Sequence, residues 1–264
     1  MEIGLYEAVS GMKSQAIQQE TISSNLARMS MPGNKRTMVA FEIPKDSDLQ
    51  KGGNIPGTIR RLGMKAAPLQ ARTVTDFTPA EVARTGADYD FGIVGDGFFK
   101  VREQDGSTSY TRDGQFHLTN EGKMVTLDGA TVLGEGDAPI TIAAKDSVKV
   151  KVDPNGVIRA DDGAKSVKIG SLTFAHFDDP RTVLSLGAPN GRFVASSEAP
   201  PTAFKSGLGK DSAVMQGALE SSNANSVSEM VSLVNVVRAY EASQKLTTAE
   251  DTLTGDIVHA MNNT

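Results

Sequence analysis

The N-terminal segment, 4–31, has apolar residues three and four positions apart. This spacing places them on one face and predicts an amphipathic α-helix, which the Pro32-Gly33 pair ends. Its opposite face is polar but carries little charge, which favours packing of neighbours there too; a plain surface helix is the alternative. The apolar positions are Leu5, Ala8, Val9, Met12, Ala16, Ile22, Leu26 and Met29.

The middle of the chain, from about 34 to 210, alternates short β-type runs with Asp-Gly, Asn-Gly and related turn pairs. Such pairs between strand-like runs are a strong signal for hairpins. Val148, Val150 and Val152 alternate with lysines, which predicts a strand with one buried face. We therefore predict a mainly β body, a sandwich or barrel-like set of hairpins. The predicted runs are 97–102, 109–112, 115–119, 124–127, 147–152, 157–160 and 166–174.

A second helical stripe covers 221–261. Asn225 or Ser226 is the expected N-cap, with Glu229 in the first turns. A helix of about 36 residues spans roughly 54 Å, which is longer than the surface that a small β body can offer it. We therefore expect it to pair with the N-terminal helix as a coiled coil. Its stripe is Met230, Leu233, Val234, Val237, Tyr240, Leu246, Ala249, Leu253, Ile257 and Ala260.

This C-terminal stripe is wider than one partner helix can cover. Val231, Val236 and Val258 lie off the main stripe, and Ala239 and Ala242 widen it. A broad apolar face calls for helices from other copies, which predicts a homo-oligomer or filament. The alternative is an intramolecular bundle in which 34–80 covers the surplus.

These patterns divide the chain into four segments. We predict an N-terminal helix over 1–31, an extended arm or linker over 32–80, a β domain over 81–215 and a C-terminal helix over 216–264. Within the arm, 45–80 combines glycines, prolines and isolated apolar residues, which is typical of an extended or irregular segment and not of a packed element.

Composition excludes several kinds of chemistry. The 264 residues include no Cys and no Trp, 5% aromatic residues and a net charge of -5. Without Cys there are no disulfides, thiolate metal sites or Cys nucleophiles. Few aromatic residues and scattered basic ones argue against a nucleic-acid partner. No apolar run reaches the roughly 20 residues of a membrane span, so we expect no membrane insertion, and the N-terminus does not have a Sec-type signal pattern.

Catalytic motifs are not found in the sequence. It has no GxSxG, HExxH, Walker-type or GxGxxG motif, and its three histidines, His117, His176 and His259, are scattered. The acid pairs 161–162 and 178–179 lie in turn contexts and are expected to be solvated. We therefore predict no catalytic, metal-binding or cofactor-binding residues; a carbohydrate-acting enzyme that uses these acids is a minor alternative.

Three blocks of residues, at both ends and in the middle, carry family motifs. They are LYEAVSGM at 5–12, ISSNLA at 22–27 and PGNKR at 32–36 with Phe41; GDGFFKV at 95–101 and YTRDGQF at 110–116; and ESSNANSV at 220–227, EMV at 229–231 and RAYE at 238–241. In these blocks the chain resembles the bacterial flagellar rod and hook proteins. It departs from their pattern at Ser24, where Asn is usual, at Asn34, where an aromatic residue is usual, and at 28–29, where Arg-Met replaces the usual Asn-Val.

Within this family, the length and the single β body resemble the proximal or distal rod proteins and not the much larger hook protein. The opening at 4–6 is more similar to the proximal rod protein, which we favour, while the arm 45–80 is closer in size to the distal one. The resemblance implies a structural, non-enzymatic subunit of the basal-body rod that polymerises through its terminal helices into the axial driveshaft between motor and hook. An adhesion or binding β module with a helical stalk is the alternative.

The resemblance also implies partners and a location. Partners are copies of the chain, other rod and hook proteins, and the flagellar type III export apparatus. The location is the periplasmic basal body, reached without a cleaved signal peptide. The residues expected to pack subunits together are Leu5, Val9, Met12, Ile22, Asn25, Leu26, Met230, Leu233, Val234, Val237, Tyr240, Leu246, Leu253 and Ile257.

Overall fold

The computed structural model describes residues 2–42, 70–142, 149–161, 166–177, 184–186, 192–195, 202–205 and 212–262. In this part of the chain there are two long helices, α1 (Glu2–Arg28) and α2 (Ser226–Asn262), and a short 3-10 turn (Glu135–Asp137). The strands are β1 (Thr37–Glu42), β2 (Gln70–Thr75), β3 (Val82–Arg84), β4 (Phe91–Val94), β5 (Phe98–Arg102), β6 (Thr108–Thr111), β7 (Phe116–Leu118), β8 (Met124–Thr126), β9 (Thr131–Val132), β10 (Lys149–Val152), β11 (Val157–Asp161), β12 (Ser166–Ser171), β13 (Thr173–His176), β14 (Leu184–Leu186), β15 (Phe193–Ala195), β16 (Thr202–Lys205), β17 (Ala213–Gln216) and β18 (Ala218–Glu220).

The chain forms two compact units. Unit 1 comprises Met1–Ala27, Thr37–Val74 and Ser226–Thr264, and unit 2 comprises Arg28–Arg36 and Thr75–Asn225. Unit 1 therefore contains both long helices together with β1, which pairs with β2. Unit 2 contains the other strands.

The largest sheet of unit 2 is built from antiparallel neighbours in the order β14-β15-β6-β5-β9-β8-β7, and β13 pairs with both β5 and β16. Short turns make these connections possible. Gly106 and Gly129 follow aspartates between β5 and β6 and between β8 and β9, and both have a positive φ (86° and 88°). Glycine adopts this left-handed conformation without a steric penalty.

The described residues of unit 2 also form three smaller sheets. One is the antiparallel set β10-β11-β12. In the other two, late strands return to early ones: β17 pairs with β4, and β18 pairs with β3. The last strands before α2 are thus joined to the first strands of the β region.

Among the described residues, the core of unit 2 contains two groups of buried apolar side chains. In the larger group, the rings of Phe99 and Phe116 meet edge to face at 5.1 Å between centroids. In the smaller group, Tyr110 and Phe177 do the same at 5.1 Å. The larger group is Phe91, Ile93, Phe99, Val101, Phe116, Met124, Ala130, Val132, Ile140, Ile142, Val150, Ile158, Leu172, Phe174 and Val214, and the smaller is Phe98, Tyr110, Ala175, Phe177 and Phe193.

The predicted class, mostly β with one helix at each end, is confirmed. The sheets of the described residues are open, so the structure does not contain the closed form of the predicted barrel. The run 166–174 is divided into β12 and β13, which belong to different sheets. The C-terminal helix begins at Ser226 and not at 216, because 213–220 form β17 and β18.

The predicted arm, 32–80, is only partly irregular. Its beginning and end contain β1 and β2, which pair, so the irregular structure expected at 70–75 is a strand. The middle of the proposed arm, residues 43–69, lies outside the described part of the chain. The same holds for residue 162 and the pair 178–179 of the acid pairs.

Candidate functional site

A buried ion cluster in unit 2 brings the three motif blocks together. The Glu220 cluster consists of Lys35, Arg112 and Glu220, one residue from each block. The Lys35 Nζ lies 2.7 Å from Glu220 Oε1, and an Arg112 guanidinium nitrogen lies 3.1 Å from Glu220 Oε2. All three side chains are 3% exposed or less. One carboxylate therefore balances two cations away from solvent.

Burial disfavours the charged forms of Lys35 and Arg112 in this cluster. Burial lowers the pKa of the Lys35 ammonium, and the Glu220 carboxylate opposes that lowering. Burial also lowers the pKa of Arg112, and the same carboxylate opposes that lowering. The Arg112 guanidinium carbon also lies 5.0 Å from the ring centroid of Phe98, a cation–π distance. The cluster is stable only while its members remain paired.

Backbone contacts fix the chain around the cluster. Gly33, with φ 65°, donates its N–H to the Glu220 carbonyl at 2.7 Å. A Cβ at Gly33 would lie 2.2 Å from the carbonyl carbon of Arg112, so only glycine fits between these segments. The Asn34 amide lies 3.5 Å from the Ser222 hydroxyl. The Pro-Gly-Asn motif, predicted only to end a helix, also forms part of this packed site.

Asn223 extends the same network. Its Oδ1 accepts the Arg36 N–H at 2.6 Å, and its Nδ2 donates to the carbonyls of Asp76 and Thr78 at 2.8 and 3.2 Å. One amide side chain thus holds two chain segments that are far apart in sequence.

In unit 1, two polar pairs join the helices α1 and α2. Gln15 Nε2 donates to the Ser243 hydroxyl at 3.3 Å, and Asn25 Nδ2 lies 3.3 Å from Glu229 Oε2. As the residue number rises along α1, the partner's number falls along α2, so the two helices run antiparallel. Asn25 also binds the backbone of Thr37 through both its N–H and its carbonyl, at 3.0 and 2.8 Å.

The most buried positions of α1 in the described part are polar. Ser14, Thr21 and Asn25 are 4–8% exposed and recur on one face of the helix. The hydroxyls of Ser14 and Thr21 donate to carbonyls one turn earlier, at 3.0 and 2.8 Å. Two of the three most buried side chains of α1 in the described part are therefore bonded to the backbone of the helix itself.

The residues expected to pack subunits together lie in the helices with different exposures. Asn25 is buried, whereas Met12, Ile22, Leu26, Leu233, Val237 and Tyr240 are half-buried. Met230, Val234 and Leu246 are 56%, 50% and 68% exposed. The side chains of Leu5, Val9, Leu253 and Ile257 lie outside the described part of the chain.

Helix α2 thus has apolar residues on two faces. Leu233, Val237 and Tyr240 lie on the half-buried face. Val227, Met230, Val231 and Val234 follow at spacings of three, one and three, and are 50–69% exposed. Such spacing places these four on one exposed face, which we call the outer face of α2. The single stripe predicted from the sequence is therefore divided between two faces.

The described residues offer neither a metal site nor a membrane-spanning helix. They include no group of three or more His, Asp or Glu side chains placed to hold a metal ion. No described helix is both long and apolar enough to cross a membrane. His117 is exposed and His176 is half-buried.

Sequence reasoning did not predict that Lys35, Arg112 and Glu220 meet. Each residue was quoted as part of a motif block, but nothing local links positions so far apart in the chain. Each block contains several charged residues, and nothing in the sequence distinguishes Lys35, Arg112 and Glu220 from the others.

Comparison with known families gives matches to three models. Residues 5–33 match "Flagella basal body rod protein", residues 92–160 match "Flagellar hook protein FlgE/F/G D1 domain", and residues 215–258 match "Flagellar basal body rod FlgEFG protein C-terminal". The matched ranges contain Gly33, Arg112 and Glu220, and the whole outer face of α2.

Curated relatives are similar over nearly the whole chain. FlgF of Caulobacter vibrioides, a flagellar basal-body rod protein, is 30% identical over 248 residues, covering 93% of this chain and 92% of its own. The flagellar basal-body rod proteins FlgG of Buchnera aphidicola from Acyrthosiphon pisum and of Bacillus subtilis are 29% and 28% identical, covering 94% and 97% of this chain and 95% and 97% of theirs.

Proposed function

The chain belongs to the flagellar basal-body rod protein family, and from this premise we propose that it polymerises through its terminal helices into the axial driveshaft between motor and hook. Its family is named for a structural part of the flagellum, and we propose no reaction or cofactor for it. The single observation that best supports polymerisation is the exposed outer face of α2, composed of Val227, Met230, Val231 and Val234.

The energetic argument for polymerisation is the apolar area left in water. Burial of such a side chain contributes about 1.5–3 kcal/mol, and four lie together on the outer face of α2. A long helix gains most of its stability from packing an apolar face and little from intrinsic propensity. We propose that helices of other copies cover this face and that α1 and α2 pack as a coiled coil in the assembly.

The other expected packing residues belong to the same proposal. Met12, Ile22 and Leu26 on α1, with Leu233 and Val237 on α2, are half-buried in the single chain and gain burial when further helices pack beside them. Leu5, Val9, Leu253 and Ile257 continue the two stripes in the sequence.

Location, partners and domain roles follow from this proposal. The subunit is exported by the flagellar type III apparatus without a cleaved signal peptide and joins the rod outside the inner membrane, beside its own copies and other rod and hook proteins. We propose the terminal helices and the β domain as functional segments, and the proximal position as the favoured one. Cross-linking in isolated basal bodies tests that position through the neighbours it identifies.

The test of polymerisation charges the outer face of α2. Met230→Asp with Val234→Asp places two carboxylates where the proposal needs apolar contact. We expect the double variant to be exported and to keep its helical circular dichroism, but to be absent from isolated basal bodies, so that cells carrying only this copy do not swim.

A matched control charges exposed apolar residues of unit 2. Leu127 and Val167 are 66% and 58% exposed, similar to the residues of the outer face. Leu127→Asp with Val167→Asp should leave incorporation and swimming at wild-type levels. Normal rods built from the Met230 and Val234 double variant would contradict the proposal.

A further inference from the structure

We infer that the Glu220 cluster and Asn223 form a lock, through which the segment 33–36 becomes ordered only when the segment 220–223 is in place. Both segments belong to unit 2. In sequence, one follows α1 and the other precedes α2. The inference concerns the folding of the single chain and does not depend on rod assembly.

The first part of the lock is the Glu220 carboxylate. Its Oε1 accepts from Lys35 Nζ at 2.7 Å and from the Ala80 N–H at 3.0 Å, and its Oε2 accepts from Arg112 at 3.1 Å. Lys35 Nζ also donates to the Thr78 carbonyl at 2.9 Å. Without the carboxylate, Lys35 would be a buried ammonium beside a second buried cation. Segment 33–36 would then leave its packed position and become exposed to solvent, because an unpaired buried charge is strongly unfavourable.

The second part is the Asn223 amide. It accepts the Arg36 N–H and donates to the carbonyls of Asp76 and Thr78. The Asp76 N–H in turn donates to the Arg36 carbonyl at 2.8 Å. Asn223 therefore bridges two segments that are also bonded directly to each other.

Apolar packing holds the two bound segments to different extents. Phe77 packs its ring against Phe98 and Phe193, at 5.7 and 5.0 Å between centroids. The apolar core groups of the described residues include no member of 28–36. The contacts described for 33–36 are polar, and most of them lead to 220–223. Loss of the lock should therefore release 33–36 more than 76–80.

The experiment is hydrogen exchange, followed by mass spectrometry, on the full-length chain. Asn223→Ala removes its hydrogen bonds without leaving a buried charge, and peptides covering 28–36 should exchange on the order of 10-fold faster. Glu220→Gln leaves two buried cations with one neutral partner, and the same peptides should exchange on the order of 100-fold faster or more. Peptides covering 76–80 should respond less, and those covering β5 and β6 should keep wild-type rates.

Asp137→Asn is the matched control. It removes a 2.7 Å ion pair with Lys100 in which Asp137 is 52% exposed, and it should not change exchange in 28–36. Wild-type exchange of 28–36 in both lock variants would overturn the inference. An equal rise in β5 and β6 would also overturn it, because the loss would then be global. Should Glu220→Gln not fold, the milder Asn223→Ala decides between these outcomes.

Discussion

Asp113, in the second half of the central motif block, is a carboxylate in a turn that does not favour its charge. Burial raises the pKa of Asp113, and the negative charge of Asp90 raises it further. The Gln115 N–H, which donates to Oδ1 at 2.9 Å, and the positive charge of Arg192 lower it. A carboxyl group whose folded pKa lies above its unfolded value contributes stability at low pH and loses it as the pH rises through the folded pKa.

We predict that Asp113→Asn gains stability over the wild type as the pH rises. At pH 3 both side chains are mostly neutral and should give similar urea midpoints. At pH 7 only the wild type carries a buried charge, so the midpoint of the variant should be the higher one. The asparagine oxygen can still accept the Gln115 N–H, so the turn is preserved. A variant less stable at pH 7 than at pH 3, relative to the wild type, would contradict this.

Asp105 provides a control whose pKa is shifted in the opposite direction. Its Oδ1 accepts from the N–H and hydroxyl of Ser107, at 2.8 and 2.6 Å, and these bonds lower its pKa. A lowered folded pKa contributes stability above the unfolded value, which is lost as the pH falls. Asp105→Asn should therefore lose, not gain, stability relative to the wild type between pH 3 and pH 7.

At the residue scale, the sequence was informative where chemistry is local. The Asp-Gly pairs at 105–106 and 128–129 predicted turns because glycine alone adopts their backbone freely, and Gly106 and Gly129 are in that conformation. The Glu220 cluster was not predicted, because its members are joined only after distant strands pair. No spacing rule connects Lys35 to Glu220.

Helix α2 carries hydroxyl groups that bind its own backbone. Thr248 donates to the carbonyls of Gln244 and Lys245 at 3.1 and 3.0 Å, and Thr252 donates to those of Thr248 and Ala249 at 3.1 and 2.8 Å. Both threonines are exposed. Such bonds slightly weaken and bend helices, and threonine is a poorer helix former than alanine.

We predict that Thr248→Ala with Thr252→Ala stabilises α2 by about 1 kcal/mol in total, the sum of two propensity differences. The measurement is the circular dichroism signal at 222 nm during heating, which should persist to a higher temperature. Ala249→Thr, at an exposed position of the same helix, should have the opposite effect. Reduced helicity in the double alanine variant would show that the hydroxyls hold the helix together.

At the element scale, periodicity predicted both helices and the strands bounded by clear turns. The N-cap expected at Asn225 or Ser226 agrees with a helix that begins at Ser226, whereas the segment boundary drawn at 216 was wrong, because β17 and β18 precede the helix. These strands are held by pairing with β4 and β3, a tertiary contact that overrides local preference. The strand β2, within the expected arm, was missed for the same reason, since it is defined by its pairing with β1.

At the scale of the whole molecule, the division into units makes a direct prediction. A fragment of residues 28–225 contains all of unit 2 and should fold as a monomeric β protein with a single cooperative urea transition. A fragment of 37–225 lacks Gly33 and Lys35 and should be less stable, on the order of 3 kcal/mol, because the Glu220 carboxylate loses the buried Lys35 ammonium and the Glu220 carbonyl loses the Gly33 N–H. Equal stability of the two fragments, or an unfolded 28–225, would contradict the division.

Fold class and helical ends could be read from the sequence, but this division could not. Unit 1 collects three separate stretches of chain, and unit 2 collects two. Patterns of three to four residues report on single elements and contain no information about which distant segments share a core. The motif 32–36 was therefore predicted as the start of a linker, although it belongs to the β unit.

The return of β18 to β3 also affects the order in which the protein can be completed. Arg84 pairs with Ala218, so nearly the whole β region must be looped out before these strands can join. Closing so long a loop is entropically unfavourable, and pairing between distant strands is slow. Unit 2 therefore cannot complete its fold until residues 82–84 and 218–220 are both free to pair with each other.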